Sequence, residues 1–161
     1  MVAYNFKPCF VQPILDGVKL HTIRSIRLRG HARRGDELQL YTGLRSQGAR
    51  LIARKVCAGA YPVIIDRRHG RIVVQGEDFP WKTGATAAAE FATAGAEFVA
   101  VKISGTFYSS IGELDAFAQR DGFSGFYQMR EFWDARHSQR TDSFAGTLIG
   151  WWSALPIQKP L

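Results

Sequence analysis

Apolar and polar positions alternate along much of the first half of this chain. From Leu20 to Arg24 the alternation puts Leu20, Thr22 and Arg24 on one face of a strand, with His21 and Ile23 on the other. Ile26 and Leu28 carry the same rhythm into the loop that follows. Glu37–Thr42 is a second alternating strand, entered through a Gly35-Asp36 turn and ended by Gly43, and residues 49–58 read as a third. Val63–Ile65 and Arg71–Val74 flank a polar stretch with Gly70 at its end, which predicts a hairpin. Ahead of these, Tyr4–Phe10 reads as a first strand, while Pro13 fits the first turn of a short helix and Gly17 its stop. Five or so short strands with turns at close intervals are the pattern of a small barrel.

The period changes in the last third. Ser110-x-x-Glu113 is a capping-box signature, and Ile111, Leu114, Phe117 and Ala118 form the apolar face of the helix behind it. Asp121-Gly122-Phe123 ends that helix. Ser124 can cap another, with Phe126, Met129, Phe132 and Trp133 as its buried stripe. Phe144–Trp152 is a strong β-run that would close the sheet. Residues 76–106 fit this scheme least and read as an insertion in the barrel, with an alanine-rich helix at Ala85–Ala94 and a strand at Phe98–Ile103. The residues from 155 to 161 carry two prolines and read as a loose tail. With no internal repeat, 161 residues predict a single α+β domain with one core.

Charge changes this picture. The net charge is +7, but it is unevenly spread: residues 1–75 hold 14 Lys/Arg against 4 Asp/Glu, a net +10, and residues 76–161 hold 7 against 10, a net −3. Such asymmetry favours a polyanionic partner, most often nucleic acid, over a merely solubilising surface. Of the 21 cations, 15 are arginine, whose forked guanidinium suits phosphate. Arg24, Arg27, Arg29, Arg33 and Arg34, with His31 among them, follow one another closely, and Arg45 joins them as a nucleic-acid contact. The two cysteines, Cys9 and Cys57, lie in apolar runs and read as buried thiols in a reducing compartment. No Cys/His spacing suits a metal, and neither a cofactor motif nor a membrane-length apolar run occurs, so a cytoplasmic protein without cofactor is expected.

The chemistry-bearing candidates cluster early. Lys19 can neutralise phosphate, or act as a base if burial lowers its pKa. Thr22 can hydrogen-bond a base edge or serve as a nucleophile beside such a base. A solvated lysine and a β-branched strand residue are the plainer alternatives. Tyr41 can stack on a base, donate its hydroxyl, or simply line the barrel wall. Asp121 is the carboxylate to watch, although an Asp-Gly helix end is its plainer and favoured explanation.

Taken together, these segments resemble the ASCH domain, a relative of the PUA domain. Ile14-Leu15-Asp16-Gly17 followed by Lys19-x-x-Thr22-Ile23-Arg24 looks like its opening signature, and Gly35-Asp36-x-Leu38-x-Leu40-Tyr41-Thr42-Gly43 continues it. So do Ala118-x-x-Asp121-Gly122-Phe123, Phe132-Trp133 and Phe144-x-Gly146-x-Leu148-Ile149-x-Trp151. The resemblance implies a PUA-like pseudo-barrel of five to six strands with short helices at its rim, and a cleft for RNA or a modified nucleoside. Some members are hydrolases. In those that deacetylate N4-acetylcytidine, a lysine, a threonine and a glutamate carry the reaction. Lys19 and Thr22 match the first two, but Thr106-Phe107-Tyr108-Ser109 stands where the glutamate is expected, so Asp121 or an insertion residue would have to replace it. Other relatives are described as ribonucleases or plain RNA binders. Three expectations result: an RNA- or nucleotide-binding module, a hydrolase using the same cleft, and a protein-interaction domain presenting its C-terminal aromatics.

Overall fold

The computed structural model describes residues 1–66, 70–76, 78–81, 86–92, 100–135 and 143–152, and its architecture is mixed α+β. The smaller sheet has the order β1-β3-β4, built from β1 (Val2–Phe6), β3 (Glu37–Thr42) and β4 (Arg50–Val56). β1 runs parallel to β3, with Tyr4 opposite Leu40, and β4 runs antiparallel to β3. The larger sheet has the order β2-β9-β5-β6-β8-β7 and is antiparallel at every pairing. Its strands are β2 (His21–Ser25), β5 (Gly59–Asp66), β6 (Arg71–Val74), β7 (Thr86–Ala92), β8 (Ala100–Tyr108) and β9 (Ser143–Gly150). The late β-run therefore becomes an interior strand, with β2 and β5 as its neighbours.

Several local signals act as expected. Gly17 adopts a positive φ of 71° just past α1 (Val11–Leu15), and the Val18 and Lys19 amides donate back to the Pro13 carbonyl. Ser110 and Glu113 form the reciprocal capping box at the start of α2 (Ile111–Arg120), and Leu114, Phe117 and Ala118 are buried. Side chains from both sheets and from α2 and α3 (Phe126–Asp134) meet in one core, with Tyr4, Leu38, Leu40, Val63, Ile72, Phe117 and Leu148 among its members. No helix among the described residues is long and apolar enough to cross a membrane.

Other expectations are corrected. The first strand stops at Phe6, because Pro8 opens a 3-10 turn over Pro8–Phe10. The alanine-rich segment predicted as a helix forms β7 instead, paired with β8 from Thr86↔Thr106 to Ala92↔Ala100. Alanine's helical preference is a weak prior that sheet pairing overrides. The described residues of the segment 76–106 thus extend the larger sheet through β8 and β7, and the described residues form nine strands in two sheets where five to six were expected. Ile111 sits on the exposed side of α2, not on its apolar face. Ser124 does not cap α3: Gly125 takes that position, and the Asp115 carboxylate accepts from the Phe126 amide at 2.8 Å. Met129 and Trp133 are the buried members of the α3 stripe. Cys57 is buried, but Cys9 is exposed on the 3-10 turn. The tail predicted to be loose lies outside the described residues, as do His69 and His137.

Candidate functional site

The Lys19–Leu20 segment enters β2 under constraint from two sides, α2 and the end of β9. The Leu20 amide donates to the Arg120 carbonyl at the C-terminus of α2, at 2.7 Å. From β9's end, the Trp151 indole Nε1 donates to the Lys19 carbonyl at 3.0 Å and the Trp151 amide to the Leu20 carbonyl at 2.9 Å. These bonds turn the Lys19 side chain inward. Its Nζ lies 2.6 Å from Asp121 Oδ1 and also donates to the Asp121 carbonyl. The helix stop makes this contact possible. Gly122 has a φ of 86°, and a Cβ there would come within 3.0 Å of the Lys19 chain and 3.2 Å of Phe10, so only glycine lets α2 end so close to the ammonium.

Both partners are almost fully enclosed. Lys19 is 2% and Asp121 3% exposed, and the ammonium sits 4.6 Å from the centre of the Phe10 ring. Burial holds the lysine below its ordinary range, with Asp121 pulling the other way. Burial likewise pushes the Asp121 carboxyl up, against the attraction of Lys19. The α2 C-terminus adds its partial negative charge at the same place. A lysine so arranged is closer to neutrality than a surface lysine, which suits it to accept a proton.

The pair forms the floor of a cleft of about 1150 Å³ that also takes in Thr22 and Arg24. Thr22 has no side-chain hydrogen bond among the described residues, so its hydroxyl is available to a ligand. The strand alternation does what the sequence indicates: Thr22 and Arg24 line the cleft while His21 and Ile23 enter the core. Arg24 lies 4.8 Å over the Phe6 ring and donates to the Asn5 carbonyl at 2.8 Å, tying β2 to β1 where the two sheets come together. Asn5 Oδ1 in turn accepts from the Leu44 amide at 3.0 Å, which anchors the loop carrying Arg45. Among the described residues six lining side chains are cationic (Lys7, Lys19, Arg24, Arg27, Arg45 and Arg50) and one, Asp121, is a carboxylate. Lys7, Arg27, Arg45 and Arg50 have no carboxylate partner among the described residues. Cations left unpaired around one cavity favour an anionic occupant.

No family model, curated protein or solved structure matches this chain.

The structure brings Lys19, Thr22, Arg24, Arg27, Arg45 and Asp121 together and leaves the other candidates outside the cleft. Tyr41 does not line it. In β3, Thr42 faces the cleft, so Tyr41 projects with Gln39, whose amide oxygen accepts from the Tyr41 hydroxyl at 3.3 Å. His31, Arg33 and Arg34 border a second cavity, and Arg29 borders neither. His31 is partly structural. Its ring stacks on Tyr4 and its Nε2 lies 2.9 Å from the Ser25 carbonyl. Lys7 and Arg50 are cleft cations that sequence reasoning missed; no local motif marks them, since only sheet assembly puts them there. No group of His, Cys, Asp or Glu among the described residues could hold a metal.

His21 was also missed as a distinct feature. It is fully buried between Phe117, at 4.9 Å, and Trp81, at 5.7 Å, with neither ring nitrogen hydrogen-bonded among the described residues. Burial, with the Lys19 and Arg120 charges adding to it, holds its pKa well below the ordinary 6.5. The unfolded chain therefore binds a proton at mildly acidic pH that the folded chain does not. Stability contributed this way is fully present above pH 6.5 and lost as pH falls, at about 1.4 kcal/mol per pH unit. Urea unfolding at pH 7.0 and 5.5 is expected to show that loss, and His21→Leu to remove most of it. An unchanged pH slope in the variant would assign the acid sensitivity elsewhere.

Proposed function

We propose that this protein is an RNA- or nucleotide-binding protein of the ASCH type, recognising RNA or a modified nucleoside in the basic cleft. In this reading the two sheets, joined at β1 and β2 by Arg24, correspond to an opened PUA-like pseudo-barrel with α2 and α3 packed on it. One observation carries the proposal: five cations, four of them without a carboxylate partner among the described residues, surround a floor of Lys19, Thr22 and Asp121. Phosphate contacts would position the ligand, and the floor would read its sugar or base. Thr22 offers a hydroxyl. Lys19 spends two bonds on Asp121 and keeps a third N–H, while Asp121 keeps Oδ2 as an acceptor. Phe6 and Phe10 are both buried, so polar contacts from the floor, more than open stacking, would discriminate among bases.

The hydrolase alternative is favoured by a separate observation, that the enclosed Lys19 and a Thr22 hydroxyl without a hydrogen bond among the described residues line one cleft, where burial draws the lysine below its ordinary range. Lys19 would take the hydroxyl proton as Thr22 oxygen bonds to an amide carbonyl carbon, then return it to the departing amine. Water would hydrolyse the resulting ester. Among the described residues Asp121 is the only carboxylate lining the cleft, and it would hold Lys19 in place as the stand-in for the glutamate of the acetylcytidine amidohydrolases.

Labelled single-stranded RNA and N4-acetylcytidine, each incubated with the protein in chelator, separate these readings. RNA binding is expected, and Arg27→Ser, Arg45→Ser and Arg50→Ser should each weaken it roughly tenfold while leaving the unfolding midpoint in place. A triple variant that binds like the wild type would remove the cleft as the binding site. Deacetylation abolished by Thr22→Val, an isosteric change that keeps the strand residue β-branched, would establish the hydrolase. Ribonucleolysis that persists in Lys19→Ala would place any cleavage outside this site.

A further inference from the structure

The second cavity, of about 460 Å³, is lined by Arg27, His31, Arg33 and Arg34 above Ala60 and Thr147. Two features join it to the cleft. Arg27 lines both spaces. Across the larger sheet, Arg24 on β2 is the register partner of Thr147 on β9, and Thr22 and Ala60 are both register partners of Ile149. Directly opposed residues in an antiparallel pair project to the same face. The cleft floor at Thr22 and Arg24 and the cavity floor at Thr147 and Ala60 are therefore neighbouring strips of one sheet surface, with Arg27 shared at the boundary.

From this we infer that the cavity is a second phosphate subsite, and that the ligand is a single-stranded RNA running from the cleft past Arg27 into it. This rests on the RNA-binding reading above and specifies its substrate class: an oligonucleotide and not a free nucleoside. The cavity is too small for a duplex and large enough for a phosphate and its sugar. Arg33 has no side-chain partner among the described residues, so it is free to turn onto a phosphate. Arg34 is held at 3.2 Å by Asp78, but both side chains are well exposed, and an exposed pair yields readily to a phosphate. His31 is fixed by Tyr4 and the Ser25 carbonyl, and burial lowers its pKa. It contributes shape at neutral pH, and the two arginines supply the charge.

The test is a length series of uridine 5′-monophosphate, the dinucleotide, the tetranucleotide and the octanucleotide, titrated by fluorescence competition at low salt. Affinity should rise at least about tenfold between mononucleotide and tetranucleotide as the second phosphate subsite engages. In Arg33→Ser/Arg34→Ser, which removes only exposed side chains, that ratio should collapse toward unity. A wild-type ratio near one would overturn the second subsite while leaving mononucleotide binding in the cleft intact. A normal ratio in the double variant would also overturn it, since length would then be read elsewhere. Failure of every member of the series to bind would remove the RNA-binding reading itself.

Discussion

Asp121→Ala should destabilise the protein by about 3–5 kcal/mol, the cost of stranding one charge of a buried pair. In the variant the Lys19 ammonium keeps its enclosure but loses its carboxylate, retaining the residue 121 carbonyl and the Phe10 ring as partners. Neutralising the lysine relieves part of that cost, so the loss should be larger at pH 6 than at pH 9. The double variant Lys19→Met/Asp121→Leu is the informative companion. Replacing both members by apolar side chains of similar volume removes the desolvation penalty along with the attraction, and should recover most of the lost stability. Urea midpoints for the three proteins measure this. A single variant losing less than about 1 kcal/mol would mean that water reaches the pair and that the floor is not sealed as described. Recovery of stability without recovery of binding would separate the pair's part in folding from its part in recognition.

Ionic strength should have the second largest effect. On the proposed RNA-binding reading, single-stranded RNA making roughly four to six phosphate contacts would release counterions on binding, and its log affinity would fall by about 0.7 per contact for each tenfold rise in salt. Between 50 and 200 mM salt the affinity should therefore drop roughly 50- to 300-fold. Arg50→Ser, which removes one unpaired cation from the cleft, should flatten the slope by about 0.7 as well as weaken binding. Thr22→Val should weaken binding without altering the slope, because it removes a hydroxyl and no charge. A slope near zero for the wild type would exclude phosphate as what the cleft holds.

The elements that were legible in the sequence are those whose signals are local. Alternation located β2 and β3, and the glycines at 17 and 43 stop their elements in the positive-φ conformation that L side chains rarely adopt. Ser110 and Glu113 announced α2 in full. What escaped depends on partners far along the chain. β7 is a strand because β8 lies beside it, and no property of its alanines says so. The parallel pairing of β1 with β3 brings Lys7 near Arg50 without any shared motif. Tyr41's place outside the cleft follows from the strand period. Once Leu38 and Leu40 are placed inward, the two-residue period sends Thr42 with them and Tyr41 the other way. The Lys19–Asp121 contact spans 102 residues, and its trace in the sequence was indirect: a lysine leading into an apolar strand needs a counter-charge, and the Asp-Gly helix end could supply one.

The interior position of β9 bears on how the protein is made. β2 and β5 do not pair with each other; each hydrogen-bonds to β9, the last described strand. On a translating ribosome, early strands of the larger sheet must wait with open edges until that strand emerges, and until then Lys19 lacks its Trp151 clamp. Truncation before residue 143, which removes β9 and with it the Trp151 clamp on Lys19, should therefore yield an aggregating product.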